Sequence, residues 1–129
     1  MSTLRTNALE GVDAKNSITI VAGAGNVTTT NVQEGIAKAF HHSSNAAVVT
    51  DSFNVASGTD NATGDYTYAY TNNMRADDSY SSPHTGNENN DTFVYTRTTG
   101  ASSIRVDTIN SGGSNVDRQH SGTIHGDLA

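Results

Sequence analysis

The sequence predicts a mainly β protein: an N-terminal extended arm and a short helix, followed by an antiparallel, jelly-roll-like β-sandwich. Three observations carry this. In residues 51–71 Phe53 and Val55 alternate with polar neighbours, and after a turn-rich break Tyr66, Tyr68 and Tyr70 alternate with Thr67, Ala69 and Thr71. Period-two alternation on both sides of a break is the pattern of an antiparallel hairpin. Similar short stretches recur at intervals of roughly 8–12 residues to the end of the chain, separated by Gly, Asn, Asp and Ser. Finally, the polar mass is Thr, Ser, Asn and Gly, and Thr favours strands.

Taken in order, residues 1–30 read as an attachment arm, polar with isolated Leu4, Leu9 and Val12. Within it, residues 16–22 place Ile18 and Ile20 on one face, which predicts a short strand. Residues 31–43 are expected to form the helix. Thr30 with Gln33, or Asn31 with Glu34, has capping-box spacing, and Val32, Ile36 and Phe40 recur at i, i+4 and i+8. So narrow a stripe favours a helix packed on symmetry mates over one packed on the sheet. Residues 44–129 read as the β domain, with strands at 46–56, 65–71, 92–98, 103–109 and 123–128 and a Gly-Gly turn at 110–115. A long polar loop at 72–90 contains Pro83, the single proline.

Leu, Ile, Val and Phe together make 22 of the 129 residues, about 17%, below the roughly 20% at which disorder becomes a serious reading. Disorder normally also carries high net charge; here it is −6 with 16% charged residues. A thin core without the charge of a disordered chain suggests that apolar contact comes from other subunits, so a homotrimer is expected. Only seven basic residues are present, no two adjacent, which argues against a phosphate-binding surface and so against nucleic acid. No stretch approaches the length of a membrane span, and residues 1–11 lack the apolar run of a signal peptide, so membrane insertion and the general secretory route are not expected. The sequons at Asn26, Asn61 and Asn90 then follow from an Asn/Thr-rich composition.

Candidate chemistry is sparse. His41 and His42 would diverge on a helix, and His84, His120 and His125 lie in separate segments; the remaining metal option is one imidazole per subunit on a trimer axis. Asp60, Asn61 and Asp65 surround a glycine turn but lack calcium-loop spacing, and Asx residues cap their own turns. No nucleophile elbow or nucleotide fingerprint is present. The expectation is therefore a non-enzymatic protein without metal or cofactor. Tyr66, Tyr68 and Tyr70 on one strand face, with Tyr80 nearby, could form a ligand or receptor surface for a glycan. Filling the core of a Phe-poor domain, or an intersubunit seam, is the favoured reading of the three strand tyrosines.

The run MSTLRTNALEGVDAKNSITI, the segment SFNVASGTDNATGDYTYAYTNNM with Asp78-Ser79-Tyr80 after it, and the closing TTGASSIRVDTINSGGSNVD resemble the small tail-fibre-like virion proteins of marine and cyanobacterial bacteriophages. The resemblance covers most of the chain except residues 81–90. It implies a virion structural protein made in the host cytoplasm, trimeric and non-enzymatic, contacting other tail or capsid proteins. Leu4, Leu9, Val12, Ile18 and Ile20 of the arm would attach to the particle, and the β domain would face outward toward a host-cell glycan. A capsid decoration or head-fibre protein and a free glycan-binding module are the alternatives.

Overall fold

The computed structural model describes residues 36–87 and 92–129, together with the backbone of two short strands. Contacts divide the chain into an N-terminal unit, Met1–Ile36, and a second unit, Ala37–Ala129. In the first, β1 (Thr19–Val21) pairs antiparallel with β2 (Thr29–Asn31). Ile20 of the expected arm lies in β1, in line with the strand expected over 16–22. Leu4, Leu9, Val12, Ile18 and Val32 lie outside the described residues.

The second unit is two antiparallel sheets. β3 (Ala37–Ser43), β4 (Val49–Phe53), β7 (Tyr80–Ser81), β8 (His84–Gly86) and β11 (His120–Gly126) form one, in the order β4-β3-β11 with β7 and β8 both on the far side of β11. β5 (Val55–Ala62), β6 (Asp65–Tyr70), β9 (Thr92–Thr99) and β10 (Ser103–Asn110) form the other, in the order β5-β6-β10-β9. The strands expected at 92–98, 103–109 and 123–128 correspond to β9, β10 and most of β11, and a turn follows β10 as expected.

Three expectations need correction. The helix over 31–43 is not formed in its described part: residues 37–43 are strand β3, and no helix occurs among the described residues. A spacing of four is a multiple of two as well as near 3.6, so Ile36 and Phe40 satisfy either period. The deciding pattern is the neighbouring one, with Ala39, His41 and Ser43 buried and Phe40 and His42 exposed. Second, the break between the hairpin strands is far shorter than the Gly/Asp/Asn run, since β5 extends through Ala62 and only Thr63 and Gly64 turn. The chain instead corners at Asn54, whose φ is +58°, and passes from the five-stranded sheet into the four-stranded one. Third, the segment 72–90 is no irregular loop where it is described. Met74 is buried and bridges Leu128, while β7 and β8 form an edge line interrupted at Ser82-Pro83. Proline lacks the N–H for a ladder and is tolerated at such edges; its carbonyl still accepts from Thr123 N–H at 3.0 Å.

The core lies between the sheets. Tyr66, Tyr68, Tyr70, Ile104 and Val106 project from β6 and β10, and Ala39 and Ile124 from β3 and β11. With so few aliphatic residues, rings fill the space.

Candidate functional site

The interior carries the chain's densest group of ionisable side chains, and its geometry follows from strand register. Gly122 of β11 pairs with His41 on one side and His84 on the other. A Cβ on Gly122 would lie 2.4 Å from the His84 ring and 2.8 Å from His41 Cε1. The missing side chain is what lets the two imidazoles approach over the central strand, with ring centroids 5.4 Å apart. His120, two residues along the same face, stands edge-on to His41 at 5.7 Å. The opposing sheet covers them: Tyr68 stacks on His41 at 3.9 Å with planes 20° apart, and Tyr66 lies 4.8 Å from His120.

Hydrogen bonds orient two of the three imidazoles. His120 Nδ1 donates to Arg118 O at 2.9 Å, which leaves Nε2 to accept from the Tyr68 hydroxyl at 2.7 Å. His84 Nδ1 likewise donates to Ser82 O at 2.8 Å. Neither nitrogen of His41, nor Nε2 of His84, has a hydrogen-bond partner. Burial, reinforced by the adjacent imidazoles, depresses the His41 pKa to about 3. Burial depresses His84 to about 4 and also lowers His120. Burial raises the Tyr66 phenol to about 12 and raises Tyr68 and Tyr70 as well. The layer is neutral at physiological pH.

Two of the three imidazoles are sealed from solvent. His41 and His120 are 1% and 0% exposed, whereas a general base must come within hydrogen-bond reach of the proton it takes. Among the described residues no three His, Asp or Glu side chains are arranged to hold a metal ion. His84 alone of the three imidazoles also borders, with Pro83, Thr85, Ser121 and Thr123, an open cleft of about 200 Å³, smaller than the roughly 300–1,000 Å³ of most small-molecule sites.

Three of the four tyrosines singled out in the sequence face inward rather than onto a surface. Tyr66, Tyr68 and Tyr70 are interior rings, as the hydrophobic phase of their strand dictates once the other sheet covers that face. Tyr80 is half-buried, lies edge-on to Tyr70, and has its hydroxyl hydrogen-bonded to Gly100 O at 3.0 Å. Asp65 is held by Arg105, Arg97 and Asn61. Asp60 and Asn61 belong to strand β5 rather than to a turn.

The residues expected at an oligomer contact fare differently. Phe40 is exposed, on a strand rather than a helix, and pairs across to Phe53 of β4. Their rings stack with centroids 6.5 Å apart and planes 25° apart, and Phe53 is 54% exposed. The pair sits at the sheet edge formed by β4, which has no strand on its outer side among the described residues. Ile36, in the N-terminal unit, is also exposed. The sequence reading missed Phe53 as Phe40's partner, because a helix and a strand share no register. No protein-family model matches this chain, and no curated protein or solved structure shows significant similarity to it.

Proposed function

We propose that the chain is a non-enzymatic structural protein of a bacteriophage particle, a tail-fibre-like or fibre-tip component that assembles as a homotrimer and contributes to host adsorption. The observation that carries assembly is the stacked Phe40–Phe53 pair, exposed beside a strand edge that is open among the described residues. Large aromatic side chains at such an edge are what a subunit contact buries. A β unit whose interior is built from tyrosine and histidine, with few aliphatic residues, supports the same reading, since intersubunit burial supplements a thin core. The phage assignment rests on the resemblance carried by residues 1–20, 52–80 and 98–117.

Stoichiometric protein counting on purified particles tests it. A few to some tens of copies is the expected result. Hundreds of copies would move the protein to the capsid shell as a decoration protein, and its absence from particles would end the virion reading. Normal host adsorption by particles lacking the protein would remove the adsorption role.

A further inference from the structure

Two of the register irregularities in the four-stranded sheet, one on each edge strand, meet on its outer face. On β9 the register steps from Arg105↔Thr98 to Val106↔Thr96, leaving Arg97 as an extra residue. On β5 it steps from Asp60↔Tyr66 to Ala62↔Asp65, leaving Asn61 as the extra residue. A bulge re-aims a side chain, and such bulges concentrate next to functional sites. Here both extra residues turn toward one carboxylate: Asn61 Nδ2 donates to Asp65 Oδ1 at 3.1 Å, and Arg97 Nη1 to Asp65 Oδ2 at 3.2 Å. Arg105 closes a two-pronged pair on the same Asp65, with Nε at 2.7 Å from Oδ1 and Nη2 on Oδ2. Arg97 Nη1 also reaches Asp107 Oδ2 at 3.4 Å.

Beside this network stand two exposed rings on alternate positions of β9. The Tyr95 hydroxyl donates to Asp107 Oδ2 at 2.9 Å, which pins its ring across the sheet while the residue stays 44% exposed. Phe93, the next position on that face, is 58% exposed. Phe93, Tyr95 and Arg97 therefore make a row about 13 Å long at strand spacing. We propose that this face binds a short neutral oligosaccharide, stacked on Tyr95 and Phe93 and hydrogen-bonded by Arg97, Arg105 and Asn61.

The chemistry selects that occupant. Two guanidiniums and two carboxylates balance, so the face has no net pull on an anion or a cation. Its centre is polar and ion-paired, which suits an apolar protein surface poorly. A pyranose has one C–H face that packs on an aromatic ring and a rim of hydroxyls that both donate and accept. Arg97 uses one nitrogen in its ion pairs and keeps a half-exposed side chain, so donors remain on the solvent side. Pinning of Tyr95 by Asp107 and of Asp65 by three donors sets the geometry before binding, which limits the ordering cost. The inference is independent of the virion assignment, because it concerns a face the chain carries wherever it acts.

The test is saturation-transfer and ¹H–¹⁵N chemical-shift NMR on the full chain with a panel of neutral trisaccharides built from glucose, galactose, mannose or N-acetylglucosamine. A sialylated and a sulfated oligosaccharide serve as anionic controls. The expected result is binding of at least one neutral member with shifts on β9 and β10. Tyr95→Ala and Arg97→Lys should each weaken it by about tenfold or more, while Phe40→Ala, on the other sheet, leaves it unchanged. Retention of the thermal midpoint in Tyr95→Phe, which keeps the ring and frees it from Asp107, separates loss of binding from loss of fold. The proposal is overturned by silence across the neutral panel, by binding to the anionic members alone, or by binding that survives Tyr95→Ala. It is equally overturned if Tyr95→Ala changes the sedimentation coefficient and no glycan binding, since the face would then join copies of the chain.

Discussion

His41 is buried against Tyr68 with neither ring nitrogen bonded, and its proton equilibrium is therefore tied to the cohesion of the two sheets. With His41 held near pKa 3 and His84 near 4, against about 6.5 for an unfolded chain, the unfolded state takes up these protons first. Their contribution is complete above about pH 6.5 and declines as pH falls toward 4, by about 1.4 kcal/mol per pH unit for each histidine. The thermal midpoint by circular dichroism should accordingly fall between pH 7 and pH 4.5. His41→Phe, which keeps a ring against Tyr68, should flatten that dependence, and an unaltered slope in the variant would remove His41 as its source. Gly122→Ala forces a methyl into both imidazoles and is expected to cost about 1–3 kcal/mol in urea unfolding. Gly112→Ala, whose Cβ would meet only Asn110 Oδ1 at 3.3 Å, should stay within about 0.5 kcal/mol of the parent. None of the imidazole layer was legible as a cluster, because its three histidines come from strands far apart in sequence and meet only through register. The alternation of Ala39, His41 and Ser43, and of His120, Gly122 and Ile124, was the signal available.

At the scale of elements, the tyrosine strand and the strands at 92–99 and 103–110 were readable because alternation ran for six residues or more in each. β7 and β8 were not, being two and three residues long and parted by proline. β5 was hidden for another reason. Its Ser, Gly, Thr, Asp and Asn are turn formers by propensity, and pairing with the Tyr strand overrides that. Gly58 belongs there because it lies opposite Tyr68, and a Cβ would meet the Ala47 carbonyl oxygen at 2.2 Å. The corner at Asn54 is where β4 and β5 part company. Its amide accepts from Asn72 N–H at 2.7 Å and donates to Asn72 O at 3.0 Å, which holds the left-handed turn in place. Asn54→Val places a β-branched residue at positive φ and deletes those bonds, for an expected loss of about 2–3 kcal/mol. Asn54→Gly keeps the backbone freedom and should lose about 1 kcal/mol. A reversal of that order in chemical unfolding would show that the corner is not set by φ.

For the whole molecule, composition foretold the thin aliphatic core, and the sheets answer it with an interior of phenol and imidazole rings. It could not foretell which side of each strand faces outward. The exposed aromatic pair consequently came to light only with β3 and β4 aligned. If Phe40 and Phe53 lie in a subunit contact, Phe40→Ser with Phe53→Ser should shift the sedimenting species from trimer to monomer while leaving the far-ultraviolet spectrum unchanged. A trimer that persists would place the contact elsewhere.

β11 is the middle of its sheet, and every strand that flanks it precedes it in the chain. During synthesis β3 and β4 can pair with each other, but β3, β7 and β8 emerge before the strand they share, and that strand arrives only when residues 120–126 have left the ribosome. The five-stranded sheet therefore closes late, through long-range pairing of the slow kind. In that interval the nascent chain offers open strand edges together with Phe40 and Phe53, the features that recruit chaperones or neighbouring nascent chains. Its yield in a cell should depend on how quickly that one strand is delivered.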